Sequence, residues 1–134
     1  MSAVLVDSNV LIDVMHDDPV WGRWSADALA AAAETAPLVI DPLIYAEVSI
    51  RFATIEELDE ALPPALFRRE PLPWEAAFLA GKAFMAYRRR GGTRRSPLPD
   101  LYIGAHAAVA GYRLLTRDPG RYRTCFPKLE LIAP

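Results

Sequence analysis

The chain has 134 residues, 52% of them hydrophobic, with 15 basic and 17 acidic side chains and a formal net charge of -2. That length fits one domain, 1–134, with apolar material for a single core, and the composition excludes a disordered tail, a collagen-like chain or a disulfide scaffold. The near-neutral sum hides two opposed halves: residues 1–67 set twelve acids against Arg23 and Arg51, a balance of -10, and residues 68–134 set 13 bases against five acids, a balance of +8. Such asymmetry suggests a nucleic-acid-binding surface.

Short apolar runs alternate with longer helical patterns. Residues 3–6 read as a buried strand ending at Asp7, and 8–15 and 20–36 as helices, the second rich in alanine. A second strand at 38–40 leads into Asp41-Pro42, an N-cap with proline at the first helical position, and a helix to about Phe52. Thr54 and Glu57 form a capping box for a helix to about Leu62, followed by a segment punctuated by Pro63, Pro64, Pro71 and Pro73. The next helix begins near Trp74, where Trp74, Ala77, Phe78, Gly81 and Met85 recur at helical spacing. It ends in Arg88, Arg89 and Arg90, cations suited to a helix C-terminus, before Gly91-Gly92. After a loop to Pro97 come a helix at 98–111, a strand at 113–116 and a last strand at 129–132. Strands separated by helices imply crossovers, hence a three-layer α/β/α sandwich on a mostly parallel sheet.

Cys125 is the only cysteine, so no internal disulfide forms, the thiol reads as an inert small hydrophobe, and a cytoplasmic location is expected. No apolar run approaches the roughly 20 residues of a membrane helix, and the amino terminus lacks the basic segment of a signal peptide. His16, His106 and Cys125 do not make a closed zinc site. His106 reads as a helix residue with a local hydrogen bond. Trp21 and Trp24, three apart on the alanine-rich helix, read as core packing or a partner surface.

Four acids stand in apolar company. Asp7 and Asp118 sit at or just beyond strand ends, where open parallel sheets collect ligands. Glu47 is the only charge in 42–50, and Asp100 is the only acid in 97–112. Each has an ordinary structural role open to it as well: Asp7 as a cap, Asp100 as an acid in a helix's first turn, Glu47 in a polar stripe with Ser49 and Arg51, and Asp118 as a turn former before Pro119-Gly120. For Asp41, also at a strand end, the capping role is sufficient. If the four converge, Arg117 is the only base in their own segments to balance them. A hard divalent cation, Mg²⁺ or Mn²⁺, would do so through oxygen ligands.

Three segments carry a resemblance. Residues 6–13, Val-Asp-Ser-Asn-Val-Leu-Ile-Asp, resemble the opening of a PIN domain; 99–107, Pro-Asp-Leu-Tyr-Ile-Gly-Ala-His-Ala, resemble its central motif; and 114–122, Leu-Leu-Thr-Arg-Asp-Pro-Gly-Arg-Tyr, resemble its closing motif. With Ala46-Glu47-Val48 between them, their order is similar to that of VapC-type toxins of bacterial toxin–antitoxin pairs, over essentially the whole chain. The resemblance implies a metal-dependent ribonuclease. It assigns Asp7, Glu47, Asp100 and Asp118 to the catalytic, metal-holding quartet and Asn9 and Thr116 to supporting positions. Asp118 matches the least constant of the four. Asp13 and His106 match no catalytic position. The same resemblance implies a homodimer and a VapB-like antitoxin whose tail covers the groove.

The five arginines of 88–95 (Arg88, Arg89, Arg90, Arg94 and Arg95) read as a rim that grips RNA phosphates, or as a solvated helix end. Two competing functions stand beside the nuclease. One is a PIN-like module that binds metal without turnover. The other is a phospho-accepting receiver-like domain, disfavoured because Ser8-Asn9 rather than a second acid follows Asp7, and Lys128 is poorly placed.

Overall fold

Among the described residues five strands lie side by side in the order β3-β2-β1-β4-β5: β1 (Val4–Val6), β2 (Leu38–Ile40), β3 (Phe67–Arg69), β4 (Arg113–Leu115) and β5 (Leu131–Ile132). Every pairing between them is parallel. The computed structural model describes residues 2–93 and 98–134; Arg94 and Arg95, two of the arginines expected at an RNA rim, lie outside the described residues. The central strands β1 and β2 are buried along their whole length, as uninterrupted apolar runs covered on both faces should be.

Seven helices connect the strands among the described residues: α1 (Ser8–Met15), α2 (Gly22–Thr35), α3 (Pro42–Ser49), α4 (Ile55–Ala61), α5 (Trp74–Arg89), α6 (Pro99–Ala110) and α7 (Gly120–Cys125). Helix α1 packs on α2 and α3, while α5 packs on α6 and both meet α7, which gives the expected three-layer α/β/α sandwich. The caps follow local chemistry. Asp41 accepts from the N–H groups of Leu43 and Ile44, and Thr54 Oγ1 from that of Glu57. Helix α6 stops at Gly111, whose φ of 73° suits glycine, with the Tyr112 N–H closing back on Ala107 O. None of the described helices is long and apolar enough to cross a membrane.

Three features differ from the sequence-based expectation. Strand β3 falls in the proline-punctuated segment. As an edge strand it needs only Phe67 inward and leaves Arg68 and Arg69 in solvent. Helix α7 occupies the stretch after Asp118 that reads as a turn, and it buries Tyr122 and, just past its end, Phe126, one turn apart. Helix α5 buries a stripe other than the one that Trp74, Phe78 and Met85 mark by their spacing. Its buried face is Ala76, Ala80 and Ala83, whereas Trp74 is 88% and Phe78 69% exposed. Small side chains let α5 approach α6 closely, and the large ones point out. The α6–α7 contact is equally tight, since a Cβ on Gly104 would come within 2.5 Å of the Phe126 ring.

The sheet order runs back from β1 through β2 to β3 on one side and forward through β4 to β5 on the other. The reversal lies between β1 and β4, and their carboxyl ends open the crevice where ligands bind in folds of this kind. Asp7 and Thr116 are the residues immediately after those two strands, and the Asp7 N–H donates to Leu115 O at 2.9 Å.

Candidate active site

Asp7 is 3% exposed and surrounded by donors. Its Oδ1 accepts from the Ser8 N–H at 2.8 Å, which is the helix-capping role. Its Oδ2 accepts from Tyr122 OH at 2.8 Å, Thr116 Oγ1 at 3.0 Å and Asn9 Nδ2 at 3.4 Å. Thr116 Oγ1 in turn accepts from Asn9 Nδ2 and from the Asp118 N–H, and Asn9 Oδ1 accepts from the Arg117 N–H. Asn9 and Thr116 thus tie the ends of β1 and β4 together and fix the carboxylate between them.

Two further acids join Asp7. Half-buried Glu47, on α3, accepts from Ser8 Oγ at 2.9 Å. Asp100, in the first turn of α6, has Oδ1 3.4 Å from Tyr122 OH and Oδ2 3.2 Å from Arg121 NH1. The Tyr122 phenol carries one proton and lies within reach of two carboxylates, so it favours the nearer, Asp7. Asp118, the fourth acid, stands exposed at the rim. Its backbone N–H donates to Thr116 Oγ1.

Asp7 and Glu47 sense the acids around them. Burial, then the charges of Asp100 and Glu47, push the Asp7 carboxyl up to about 6, against the opposing hydrogen bonds of Tyr122 and Thr116. Burial also raises Glu47, with the charges of Asp100 and Asp41 adding to it and the Ser8 hydroxyl opposing. The Tyr122 phenol is raised well above its ordinary range by burial and then by Asp7 and Asp100, which keeps it a donor. Arg117 does not balance this site. Its Nε pairs with buried Asp13 at 2.9 Å and its guanidinium lies 6.0 Å from the Trp21 ring centroid. Asp13 also accepts from Ser25 Oγ, so it is satisfied away from the cluster. Trp24 packs half-buried against the core.

Among the described residues no three of His, Cys, Asp and Glu stand close enough to enclose an ion. The donor chemistry nonetheless fits a hard divalent cation: all-oxygen ligands, mutual repulsion, and no cation in salt-bridge range of Asp7 or Glu47 among the described residues. Exposed Arg88, Arg89 and Arg90 end α5; Arg89 Nε reaches Met85 O and Arg90 NH2 reaches Cys125 Sγ, both weakly.

His106 is wholly buried and its Nδ1 donates to Asp41 Oδ2 at 2.9 Å, 65 positions away, so the expected local bond is replaced by a long-range one. Ser8, Arg121 and Tyr122 are the site residues that sequence reasoning missed. The signal was present in the apolar pair Tyr122 and Phe126 at helical spacing, which the Pro119-Gly120 turn signal obscured.

Comparison with known proteins agrees with this architecture. The PIN domain family model matches residues 4–127. Among solved structures, that of VapBC2 from Rickettsia felis bound to a DNA fragment from their promoter aligns with a TM-score of 0.75 at 16% identity, covering 98% of each chain. VapBC-1 from nontypeable Haemophilus influenzae gives a TM-score of 0.74 at 18% identity over 98% of this chain and 97% of that one. FitAcB from Neisseria gonorrhoeae gives 0.68 at 17% identity over 96% of each. No curated protein matches by sequence. The structural likenesses are of fold, and the family match over residues 4–127 shows that this chain belongs to the PIN domain family.

Proposed function

We propose that this protein is a metal-dependent ribonuclease acting as the toxin of a toxin–antitoxin pair. The observation that carries the reading is the meeting of Asp7, Glu47 and Asp100 at the crevice between β1 and β4, where burial and neighbouring negative charge raise Asp7 and Glu47, neither paired with a cation among the described residues, while Arg121 pairs Asp100. Asp7 and Asp100 would hold the principal Mg²⁺ or Mn²⁺ ion, with Glu47 and Asp118 completing the outer ligands. Such an ion supplies positive charge against the phosphate and makes water more acidic.

The chain's own residues do the remaining work. Ser8, Asn9 and Thr116 orient Asp7, and Ser8 also orients Glu47. Tyr122 donates its proton to Asp7 and lies within reach of Asp100. Arg88, Arg89 and Arg90, with Arg94 and Arg95 from the same basic run, offset the acids' repulsion of an RNA backbone. A VapB-like antitoxin, a homodimer and a cytoplasmic location complete the proposal. The antitoxin is supported by similar folds in VapBC assemblies and in a toxin–antitoxin complex from Klebsiella pneumoniae, and the location by the lone Cys125.

The test is cleavage of labelled RNA by the purified protein. Activity should require Mg²⁺ or Mn²⁺, stop with EDTA, and fall by roughly 10²-fold or more in Asp7→Asn; undiminished cleavage by that variant sinks the assignment. The exposure of Asp118, against the burial of Asp7, favours one alternative, a metal-binding module without turnover, and metal-dependent cleavage excludes it. Family membership sets the receiver-like reading aside. Lys128 moreover shares a cleft with Ser2 and Arg113, at the amino ends of β1 and β4, opposite Asp7.

A further inference from the structure

Arg121 belongs to two environments at once. Its NH1 donates to Asp100 Oδ2 at 3.2 Å, inside the acidic cluster. The same residue lines an open cleft of about 430 Å³ between the end of α5 and the start of α7. The described lining of that cleft contains no acid. It includes Arg90 as a second cation, and the exposed Gly91 and Gly120 leave backbone accessible to a bulky anion. Arg90 is exposed, and its side-chain hydrogen bond goes to the weak acceptor Cys125 Sγ at 3.4 Å. A guanidinium has five N–H donors, and the Asp100 contact uses one.

We propose that Arg121 couples cation loading to substrate grip. A divalent ion arriving at Asp100 must share that carboxylate with Arg121, and the displaced guanidinium turns into the Arg90 cleft to hold a backbone phosphate of the RNA flanking the scissile bond. The inference rests on the nuclease reading and extends it to residues that the acidic quartet leaves out. It has a thermodynamic consequence, because coupling between two ligands is reciprocal. The ion should tighten RNA binding, and RNA should tighten ion binding, by the same factor, and part of that factor passes through Arg121.

Two opposite changes in Arg121→Gln test this. Removing the guanidinium removes both competition and like-charge repulsion at Asp100, so Mn²⁺ titrated calorimetrically into the full chain should bind about two- to fivefold tighter, the range of an exposed ion pair. Binding of a non-cleavable 2′-O-methyl oligoribonucleotide, measured by anisotropy with Mn²⁺ present, should weaken, and its log–log salt slope should shrink by about 1. Arg121→Lys should recover most of the RNA affinity. Tighter ion binding with weaker RNA binding supports the coupling. Weakening of both, or no change in either, overturns it, the former marking a packing role. A wild-type protein that binds Mn²⁺ and RNA while the variant behaves like it refutes Arg121 alone; a wild type that binds neither refutes the nuclease reading with it.

Discussion

Asp7 and Asp41 begin from the same local situation and end in opposite ones. Each follows a wholly buried three-residue strand, each precedes an eight-residue helix that it caps, and they are 3% and 2% exposed. Asp41 spends Oδ1 on the N–H groups of Leu43 and Ile44, and Oδ2 receives His106 Nδ1. The His106 ring continues toward Glu70, 3.6 Å from its Nε2, and Tyr112 closes the group by donating to Glu70. Asp7 receives only neutral donors and faces two other acids. A buried carboxylate given an imidazole is a strut; one given hydroxyls and like charges holds an unmet demand for a cation. Strand-end position selects both residues, and the partner brought from elsewhere separates them.

Substitution should break the pair apart. In Asp7→Asn the loss of RNA cleavage is the largest expected effect, while stability at pH 7 holds or rises because a repelled buried charge is gone. In Asp41→Ala the effect moves to stability. The α3 cap and the only side-chain hydrogen bond of buried His106 among the described residues disappear together, a cost of about 3 kcal/mol in urea unfolding. His106→Leu should lose about 2 kcal/mol by leaving Asp41 Oδ2 without its donor. If Asp41→Ala unfolds at the same urea concentration as the wild type, the distinction between strut and site fails.

What the sequence made visible, and what it hid, follows the same division. Strands β1, β2, β4 and β5 were legible because a short apolar run between two helical patterns has little to become except a buried strand. Asp7, Glu47 and Asp100 were legible as candidates because charge in apolar segments is anomalous. Strand β3 was not, because an edge strand with two outward arginines leaves little apolar signal. The inward face of α5 was not, because periodicity identifies the faces of a helix but not which one a neighbour covers; Ala76, Ala80 and Ala83 were chosen by close packing on α6. Tyr122 and His106 acquire their roles from residues 115 and 65 positions away, and no local pattern encodes such a meeting.

Titration sharpens the reading of Asp7. With Asp7 raised from 3.8 to about 6, the native state binds the proton more tightly than the unfolded chain. Stability from this group is therefore greatest below pH 4 and is lost as pH rises through 4 to 6, by about 3 kcal/mol in all. Glu47, raised for related reasons, acts in the same direction. Unfolding measured in EDTA at pH 4 and pH 7 should show Asp7→Asn gaining on the wild type by roughly that amount. A constant difference between the two across this range would mean that Asp7 carries no buried-charge penalty.

The smallest expected effect probes the donors that hold Asp7. Tyr122→Phe keeps the ring that packs against Gly104 and removes only the hydroxyl 2.8 Å from Asp7 Oδ2. That hydrogen bond is the largest influence lowering the Asp7 carboxyl, so its loss should drive the carboxyl higher still. At pH 7 the variant should lose about 1 kcal/mol, the worth of one hydrogen bond to a buried acceptor, and less at pH 4. Mn²⁺ binding followed against pH gives the finer readout. A proton held more tightly on Asp7 must be displaced by the ion, so the midpoint should move to higher pH in Tyr122→Phe and stay in place in the surface control Thr124→Ala. A Tyr122→Phe midpoint equal to that of the wild type would show that Asp7 is held by Thr116, Asn9 and Ser8 alone, and that α7 contributes packing but not charge control to the crevice.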